Sequence, residues 1–528
     1  MSVKLARSAG LISVATMASR LLGVAREMVL AAFFGASGGI EMDAFNVAFR
    51  IPNLLRDLFA EGAMTAAFVP TFTRTLTTEG RDEAWRLGNL VINALLIIIG
   101  SIVAVGIVFA SPITHAFAPR FASTPGKLEL TTQLTRIMLP FLATVAVAVA
   151  MMGMLNSLRR FFIPALSPAM FNVATILCAF MLVPVMPRLG LQPIVAIALG
   201  TILGGIGQIA LQWPVLRGEG FRYQPVIDFR DPKLLEVLRL MVPGTIGLAA
   251  VQINVFVNTY LATSQQQGSV SWLNYAFRLM YLPIGLFGVS IATAALPDIA
   301  RRASEGDTLG MQRTISSALR MMLMLNVPAT IGLIALAHPI VALLLERGHF
   351  GPYDTTATAA ALLFYSPGLL GYSAVKIASP SFYSLRDSRT PVIVSVIAVL
   401  TNLTINLLLV RVMGYRGLAL GTALAALFNA GALLWLLRRR LGGLDERRVL
   451  IAFSKILAAA LAMGAAARLT ASWLATWLPP THFLSRAVEL AIAITVGLVV
   501  LVAAARLLRL AEFDDAFSRL LKRLRPST

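Results

Sequence analysis

The chain has 528 residues, of which 57% are hydrophobic and only 13% are charged. Soluble domains carry about 25% charged residues, so this composition excludes a soluble enzyme and a disordered chain and indicates a polytopic membrane protein. The formal net charge is nevertheless +20, and 39 of the 45 basic residues are arginine. Four interpretations of this excess are loop bases that set topology, nucleic-acid binding, contact with anionic lipid, and an anion-binding cavity within the membrane. Nucleic-acid binding is disfavoured because the bases are scattered among apolar segments and form no basic domain.

The predicted elements are hydrophobic segments that are each long enough to cross a membrane, which takes about 20 residues. Fourteen occur in chain order, near 9–34, 43–72, 88–112, 133–156, 164–187, 191–214, 236–262, 272–297, 314–345, 356–383, 391–411, 415–437, 449–473 and 484–508. If the N-terminus is cytoplasmic, the short cytoplasmic connections hold 21 Lys and Arg residues and the opposite side holds 7. This bias predicts that both termini are cytoplasmic, and it accounts for most of the net charge.

An internal repeat divides the chain. Ala48-Phe49-Arg50 recurs as Ala276-Phe277-Arg278, and Ser157-Leu158-Arg159 recurs as Ser384-Leu385-Arg386, at almost the same offset along the sequence. The repeat predicts an all-α membrane protein with two pseudo-symmetric six-helix lobes, at 1–220 and 221–440, followed by two extra helices within 441–528. Transporters built from such repeats bind their substrate between the lobes.

The first predicted span carries charges at mid-membrane depth. Arg20, Gly23 and Glu27 share one helix face, and Arg26 lies beside Glu27. Arg20 is about ten residues, or roughly 15 Å, from the cytoplasmic end. An arginine at this depth faces a cavity or an ion-pair partner, and both interpretations stay open.

The second span carries a polar stripe at regular helical spacing, formed by Asn46, Arg50, Asn53, Asp57 and Glu61. Arg56 lies beside this stripe at mid-depth and is the better ligand candidate. Asp57 and Glu61 approach the inner end, where they could form a gate or an ion pair that ties helices together. Arg50 is near the outer end and could extend to the interface.

In the second half, Arg278 is the repeat counterpart of Arg50, and Lys376 lies within the tenth span. No Asp or Glu occurs between Glu236 and Asp298 or between Asp387 and Asp445. A cationic interior with few acids favours an anionic substrate, and the planar fork of arginine suits phosphate. The sequence shows no catalytic constellation and no Gly-rich ATP-binding loop, so we expect a transporter without a cofactor and not an enzyme.

The first two spans contain a recognisable series of motifs. Ser19-Arg20-Leu21-Leu22-Gly23-Val24-Ala25-Arg26-Glu27 is followed by Asp43-Ala44-Phe45, Phe49-Arg50-Ile51-Pro52-Asn53-Leu54-Leu55-Arg56 and Phe59-Ala60-Glu61-Gly62-Ala63. These motifs closely resemble those of the MurJ (MviN) family of bacterial lipid II flippases in the MOP transporter superfamily. Two six-span lobes with two C-terminal spans also match that family, so the resemblance covers essentially the whole chain.

The resemblance implies that the protein moves lipid II, an undecaprenyl-pyrophosphate-linked peptidoglycan precursor, from the inner to the outer leaflet by alternating access. It implies that the pyrophosphate is held by cavity residues Arg20, Arg26, Arg56 and Arg278. It places Asp43 by the substrate portal and Glu61 at the inner gate, with Glu27, Asn53 and Asp57 in the same portal and gate set. Further cavity candidates are Ser19, Arg50 and Lys376. The last two spans would form a groove for the lipid tail ahead of a basic cytoplasmic tail.

Two departures from the family pattern concern the gate and a cation site. Glu27 replaces an aspartate and Asp57 stands where a base often occurs, which leaves the pairing of the gate open. Some members bind sodium through carboxylates of the second lobe. Spans seven, eleven and twelve carry no carboxylate beyond Glu236 at the first residue of span seven, which argues against that site here.

Alternative functions are export of another polyprenyl-linked oligosaccharide, export of an amphipathic drug, and a membrane scaffold without transport. A drug exporter should show intramembrane carboxylates in its lobes, and this chain has few. The expected partners are lipid II, membrane lipids and proteins of cell-wall synthesis or division, in the bacterial inner membrane.

Overall fold

The fold is built from helices alone in the part of the chain that the computed structural model describes, residues 3–58, 62–478, 482–510 and 513. The α-helices of this part, numbered in chain order, are α1 (Val3–Phe34), α2 (Glu41–Arg56), α3 (Gly62–Thr78), α4 (Arg81–Val108), α5 (Ala110–Phe117), α6 (Lys127–Met138), α7 (Phe141–Ser157), α8 (Phe162–Leu166), α9 (Ala169–Leu182), α10 (Val195–Gly218), α11 (Pro232–Thr263), α12 (Ser269–Pro283), α13 (Val289–Glu305), α14 (Thr308–Ala335), α15 (Ala337–Leu345), α16 (Pro352–Tyr365), α17 (Gly368–Ser384), α18 (Arg389–Met413), α19 (Tyr415–Leu441), α20 (Glu446–Leu474) and α21 (Phe483–Leu507).

Among the described residues, ten helical segments are long and apolar enough to cross a membrane, or eleven if α16 and α17, bent by 42° at their junction, form one span. These segments coincide with eleven of the predicted spans. The other three predictions, 9–34, 43–72 and 236–262, fall on α1, on α2 with α3, and on α11. The predicted all-α membrane fold is confirmed, and the count of fourteen spans stays a prediction.

The internal repeat is visible in the backbone. Helices α4 and α14 each have 28 residues, and helices α7 and α17 each have 17. The start of α14 follows the start of α4 by the same number of residues as the start of α17 follows the start of α7. Arg159 and Arg386, which follow α7 and α17, both have a left-handed backbone with φ of 60° and 58°. A positive φ is uncommon outside glycine, so its recurrence at equivalent positions shows that the two halves repeat in local conformation.

By packing, the chain forms two compact units. The first contains residues up to Ser271 with Arg347–Phe350, and the second contains Trp272–Glu346 with Gly351 onward, so the boundary falls inside α12. Helix α11 packs against α3 and belongs to the first unit. The predicted lobes at 1–220 and 221–440 group helices by repeat and not by packing, and their bounds stay a prediction.

In the first unit, the connection between the repeats is bound to α4. Residues 221–228 have no helical hydrogen bonding. Asn93 donates its Nδ2 to the carbonyls of Gln224 and Val226 at 2.8 and 2.9 Å, and Asn89 exchanges hydrogen bonds with the backbone of the same segment. Two amide side chains therefore satisfy backbone groups that no helix would satisfy.

In the second unit, α14 packs against α13, α17 and α20, and α20 and α21 pack against each other. Asp307 begins α14 as an N-cap, with its carboxylate accepting from the Gly310 N–H at 2.8 Å. That hydrogen bond, aided by the Arg302 guanidinium, holds the pKa of the Asp307 carboxyl below its usual value.

Close packing of α17 on α19 depends on Gly371, because a Cβ there would lie 2.5 Å from the backbone of Ala426. We expect Gly371→Ala to lower the free energy of unfolding by about 1–3 kcal/mol, the usual cost of overpacking. Gly431→Ala is the matched control, since no atom lies within 4 Å of its Cβ position. The control should leave stability unchanged or raise it by up to about 1 kcal/mol, because alanine favours helix. Thermal unfolding of the purified protein tests the pair, and equal midpoints would contradict the prediction.

Candidate functional site

Helix α1 presents its charged face next to α9. Asn172 of α9 donates its Nδ2 to the carbonyl of Ser19 at 3.2 Å. The same amide lies 3.7 Å from the position that a Cβ on Gly23 would take. Asn172 thus contacts α1 between Arg20 and Glu27.

Arg26 is buried and only partly satisfied. Its guanidinium forms a buried ion pair with Glu27 and lies over the ring of Phe171, 4.8 Å from the centroid. Its Nε is buried and has no hydrogen-bond partner among the described residues. A buried charged donor without an acceptor costs more than about 1–3 kcal/mol, so the Arg26 Nε is an unsatisfied donor in the described part of the chain.

Arg20 is partly exposed, and no described residue forms a hydrogen bond or an ion pair with it. Glu27, predicted on the same face, is engaged by Arg26 instead. The ion-pair alternative therefore holds for Arg26, whereas a cavity-lining role for Arg20 stays a prediction.

Helix α2 carries the predicted polar stripe, and its arginine at mid-depth is paired. Arg56 donates its Nε and a terminal nitrogen to Asp57 at 3.1 and 2.8 Å. The other oxygen of Asp57 lies 3.5 Å from the Nε2 of Gln252 on α11. Asn53, one turn earlier, has a buried Oδ1 without a partner among the described residues, and Arg50 is half-buried. The predicted gate residue Glu61 lies outside the described residues.

At the first residues of α2, Asp43 forms the most completely satisfied charged site of the described first unit. One carboxylate oxygen accepts from Lys127 Nζ at 3.0 Å and from the Gly268 N–H at 2.8 Å. The other accepts from the N–H and the hydroxyl of Ser271 at 3.1 and 2.7 Å. Asn46 also donates to the Ser271 hydroxyl at 3.1 Å.

Sequence reasoning missed Lys127, which it counted as a loop base. The structure places it at the first position of α6, 3% exposed, with its ammonium 4.1 Å from the centroid of the Phe121 ring. A signal was present in its repeat position, because its counterpart in the second repeat, Asp354, also carries a charge at the start of a helix.

In the second unit, Arg278 lies on α12 and donates its Nε to Asn274 at 3.3 Å. Lys376 is exposed on α17 and has no partner among the described residues. Arg320, in the interior of α14, is an intramembrane arginine that sequence reasoning passed over. Its Nε is buried without a hydrogen bond, although the side chain has other contacts.

Comparison with known proteins places this arrangement in a family. A sequence profile described as lipid II flippase MurJ matches residues 30–505. The chain belongs to the MurJ family. A probable lipid II flippase MurJ from Vibrio cholerae is 34% identical over 439 residues, which cover 82% of each chain. Family membership makes this chain a multi-pass transporter of the inner membrane.

Solved structures agree with this assignment. A lipid II flippase MurJ in an inward closed conformation is 27% identical and superposes with a TM-score of 0.77, covering 94% of this chain and 98% of the other. A multidrug resistance MATE transporter of the MOP superfamily, in an inward-facing conformation, has a TM-score of 0.68 at 16% identity, covering 81% of this chain and 96% of the other. The second likeness shows a shared fold alone.

The Arg26–Glu27 pair yields a stability prediction. Glu27→Ala should lower the free energy of unfolding by about 3–5 kcal/mol, because it leaves the buried Arg26 without its carboxylate. Asp82→Ala, at an exposed acid of α4, is the control and should change stability by no more than about 0.5 kcal/mol. Thermal unfolding of both variants provides the measurement, and an unchanged midpoint for Glu27→Ala would show that the pair is not needed for stability.

Proposed function

We propose that this protein moves lipid II from the inner to the outer leaflet and that α1 binds the pyrophosphate of the lipid. The single observation that carries the binding site is the buried Nε of Arg26, which has no acceptor among the described residues. Arg20, on the same helix, also has no partner in that part of the chain. Phosphate oxygens are the acceptors that suit two guanidinium groups best.

The charge distribution in the first unit supports an anion and not a cation. On α1, Glu27 neutralises the charge of Arg26, which leaves the positive charge of Arg20. Placing a charge at the bilayer centre costs at least about 2.5–3.5 kcal/mol, so an uncompensated arginine there is a functional candidate. A doubly charged headgroup would supply the missing counter-charge each time it enters.

The other candidate residues take roles that follow from their present bonding. Arg56, already bound to Asp57, would have to exchange that carboxylate for the ligand, and Arg278 would exchange Asn274. We propose Arg20 and Arg26 as the first contacts and Arg56 and Arg278 as later ones. Ser19, Arg50 and Lys376 stay as further cavity candidates, and Asp43, Asn53 and Glu61 as portal or gate residues.

The energy source, the orientation of the termini and the partners of the protein are inferred from the sequence. The absence of a Gly-rich nucleotide loop favours transport without ATP bound to this chain. The excess of bases on one side favours cytoplasmic termini. Proteins of cell-wall synthesis or division are proposed as partners. Another polyprenyl-linked oligosaccharide or a drug as substrate is not favoured by the comparisons.

The binding role predicts a specific substitution pattern at Arg26. Arg26→Lys keeps the charge but removes the Nε donor and the planar fork, so lipid II flipping in reconstituted vesicles should fall by about tenfold or more. Arg20→Ala and Arg278→Ala should also fail to restore growth in cells depleted of their own flippase. Arg411→Ala is the control, because Arg411 is exposed at the end of α18. Full growth with Arg20→Ala, Arg56→Ala and Arg278→Ala alike would exclude the arginine site.

Alternating access of a cationic site predicts a response to voltage. Each charge that crosses the field contributes about 2.3 kcal/mol per 100 mV. We therefore expect the flipping rate in vesicles to change when a potassium diffusion potential is imposed. A protonophore-free sample at zero potential is the control. A rate that is indifferent to the potential would rule out net charge movement in the slow step.

A further inference from the structure

The second charged site of the first unit, around Asp43 and Lys127, lies apart in sequence from the arginines of α1. Both side chains are almost fully buried, with 2% and 3% of their side-chain surfaces exposed. Asp43 accepts four hydrogen bonds, two on each oxygen. Three of these come from the start of α12, and only the one from Lys127 carries a positive charge.

The bonds from α12 have the geometry of a helix cap supplied by another helix. Gly268 and Ser271 lie at the first turn of α12, where backbone N–H groups have no partner within the helix. The carboxylate of Asp43 satisfies two of these groups and sits at the positive end of the helix dipole. Asp43 therefore fixes the first turn of α12 to α2.

Lys127 supplies the positive charge that the donors from α12 lack. A buried carboxylate without a cationic partner is strongly destabilising, and removal of one member of a buried pair leaves the other charge uncompensated. The Lys127 ammonium is held in place by its position over Phe121. Phe121 in turn forms an apolar cluster with Val47 and Ala118, against which Val270 of α12 packs.

The second repeat ties the equivalent helices in the same place. Trp272 donates its indole N–H to the carboxylate of Asp354 at 2.9 Å, and both residues are buried. This bond joins α12 to α16, and Asp354 occupies in the second repeat the position of Lys127 in the first. A buried polar tie between the equivalent helices thus recurs with different chemistry, although Trp272 lies one residue beyond the repeat counterpart of Asp43.

We propose that Lys127 is a positioning residue for transport, which holds the Asp43 carboxylate as a cap on the first turn of α12. Lys127, Asp43 and Ser271 act as one unit: the lysine fixes the carboxylate, and the carboxylate fixes the helix start. Ser271 is bonded to Asp43, and the next residue, Trp272, is bonded to Asp354. Loss of the cap therefore frees α12 only as far as Ser271.

The role in transport rests on the proposed function, whereas the capping unit can be measured without it. The reporter is Val270→Cys in a Cys178→Ala background, labelled by a maleimide in purified protein in nanodiscs, where both faces are accessible. Lys127→Met should raise the labelling rate by about tenfold, which corresponds to about 1.4 kcal/mol. Asp43→Asn should give a similar rise, and Lys127→Arg should stay close to the unsubstituted reporter.

A double variant tests whether Asp43 and Lys127 act together as one unit or stabilise the structure separately. In the double variant Asp43→Asn/Lys127→Met, the labelling rate should equal that of either single variant, because each substitution already breaks the unit. Multiplication of the two effects, to about a hundredfold, would overturn the proposal. So would a Lys127→Met rate equal to that of the unsubstituted reporter. If Lys127→Met does not fold, the neutral double variant compared with Asp43→Asn carries the same test.

Arg136→Met is the matched control, since Arg136 is an exposed base on the same helix, α6. It should change neither labelling nor growth. In flippase-depleted cells, Lys127→Met should abolish growth and Lys127→Arg should restore it. Altered labelling with normal growth would show that the cap exists but that transport does not need it, which overturns the role of Lys127. Failure of the unsubstituted chain to restore growth would count against the proposed function and leave the labelling result standing.

Discussion

The cost of an ionised group in hydrocarbon determines the arrangement of the polar residues of this protein. No water is available in the bilayer core to solvate a charge, so each ionised side chain must find an opposite charge, a set of hydrogen bonds or a cavity. Burial in protein imposes the same requirement on Asp43 of the first unit, which meets it completely with four donors that include Lys127. Arg26 meets it only in part, with Glu27 and the face of Phe171.

Asp43 and Arg26 differ in how completely their polar atoms are hydrogen-bonded, and this difference suggests different roles for them. The Asp43 carboxylate, with four donors, holds helices together. A buried guanidinium whose Nε has no acceptor in the described part of the chain is the group to which the proposed function assigns the ligand. Net charge alone could not make this distinction, because most of the +20 belongs to connections between helices.

Composition and hydrophobic length were enough to predict the helical membrane fold, because a lipid environment allows few alternatives. The repeat was also detectable, and the left-handed residues Arg159 and Arg386 show that it extends to backbone detail.

Which charges pair with each other was not predictable. Arg26 pairs with Glu27 and Arg56 with Asp57, although adjacent residues do not face each other on a helix. The long arginine side chain folds back to reach its neighbour, which a helical projection does not represent. Lys127 was missed for another reason, since a base in a short connection is indistinguishable by sequence from a solvated one until its aromatic neighbour is located.

The repeat and the packing divide the chain at different places. Helix α11 begins the second copy of the repeat, yet it packs on α3 and belongs to the first compact unit. A gene encoding the first repeat alone would thus produce a protein whose α3 lacks its natural neighbour. In the fused chain α11 covers α3, so the first repeat depends on a helix of the second for its hydrophobic surface.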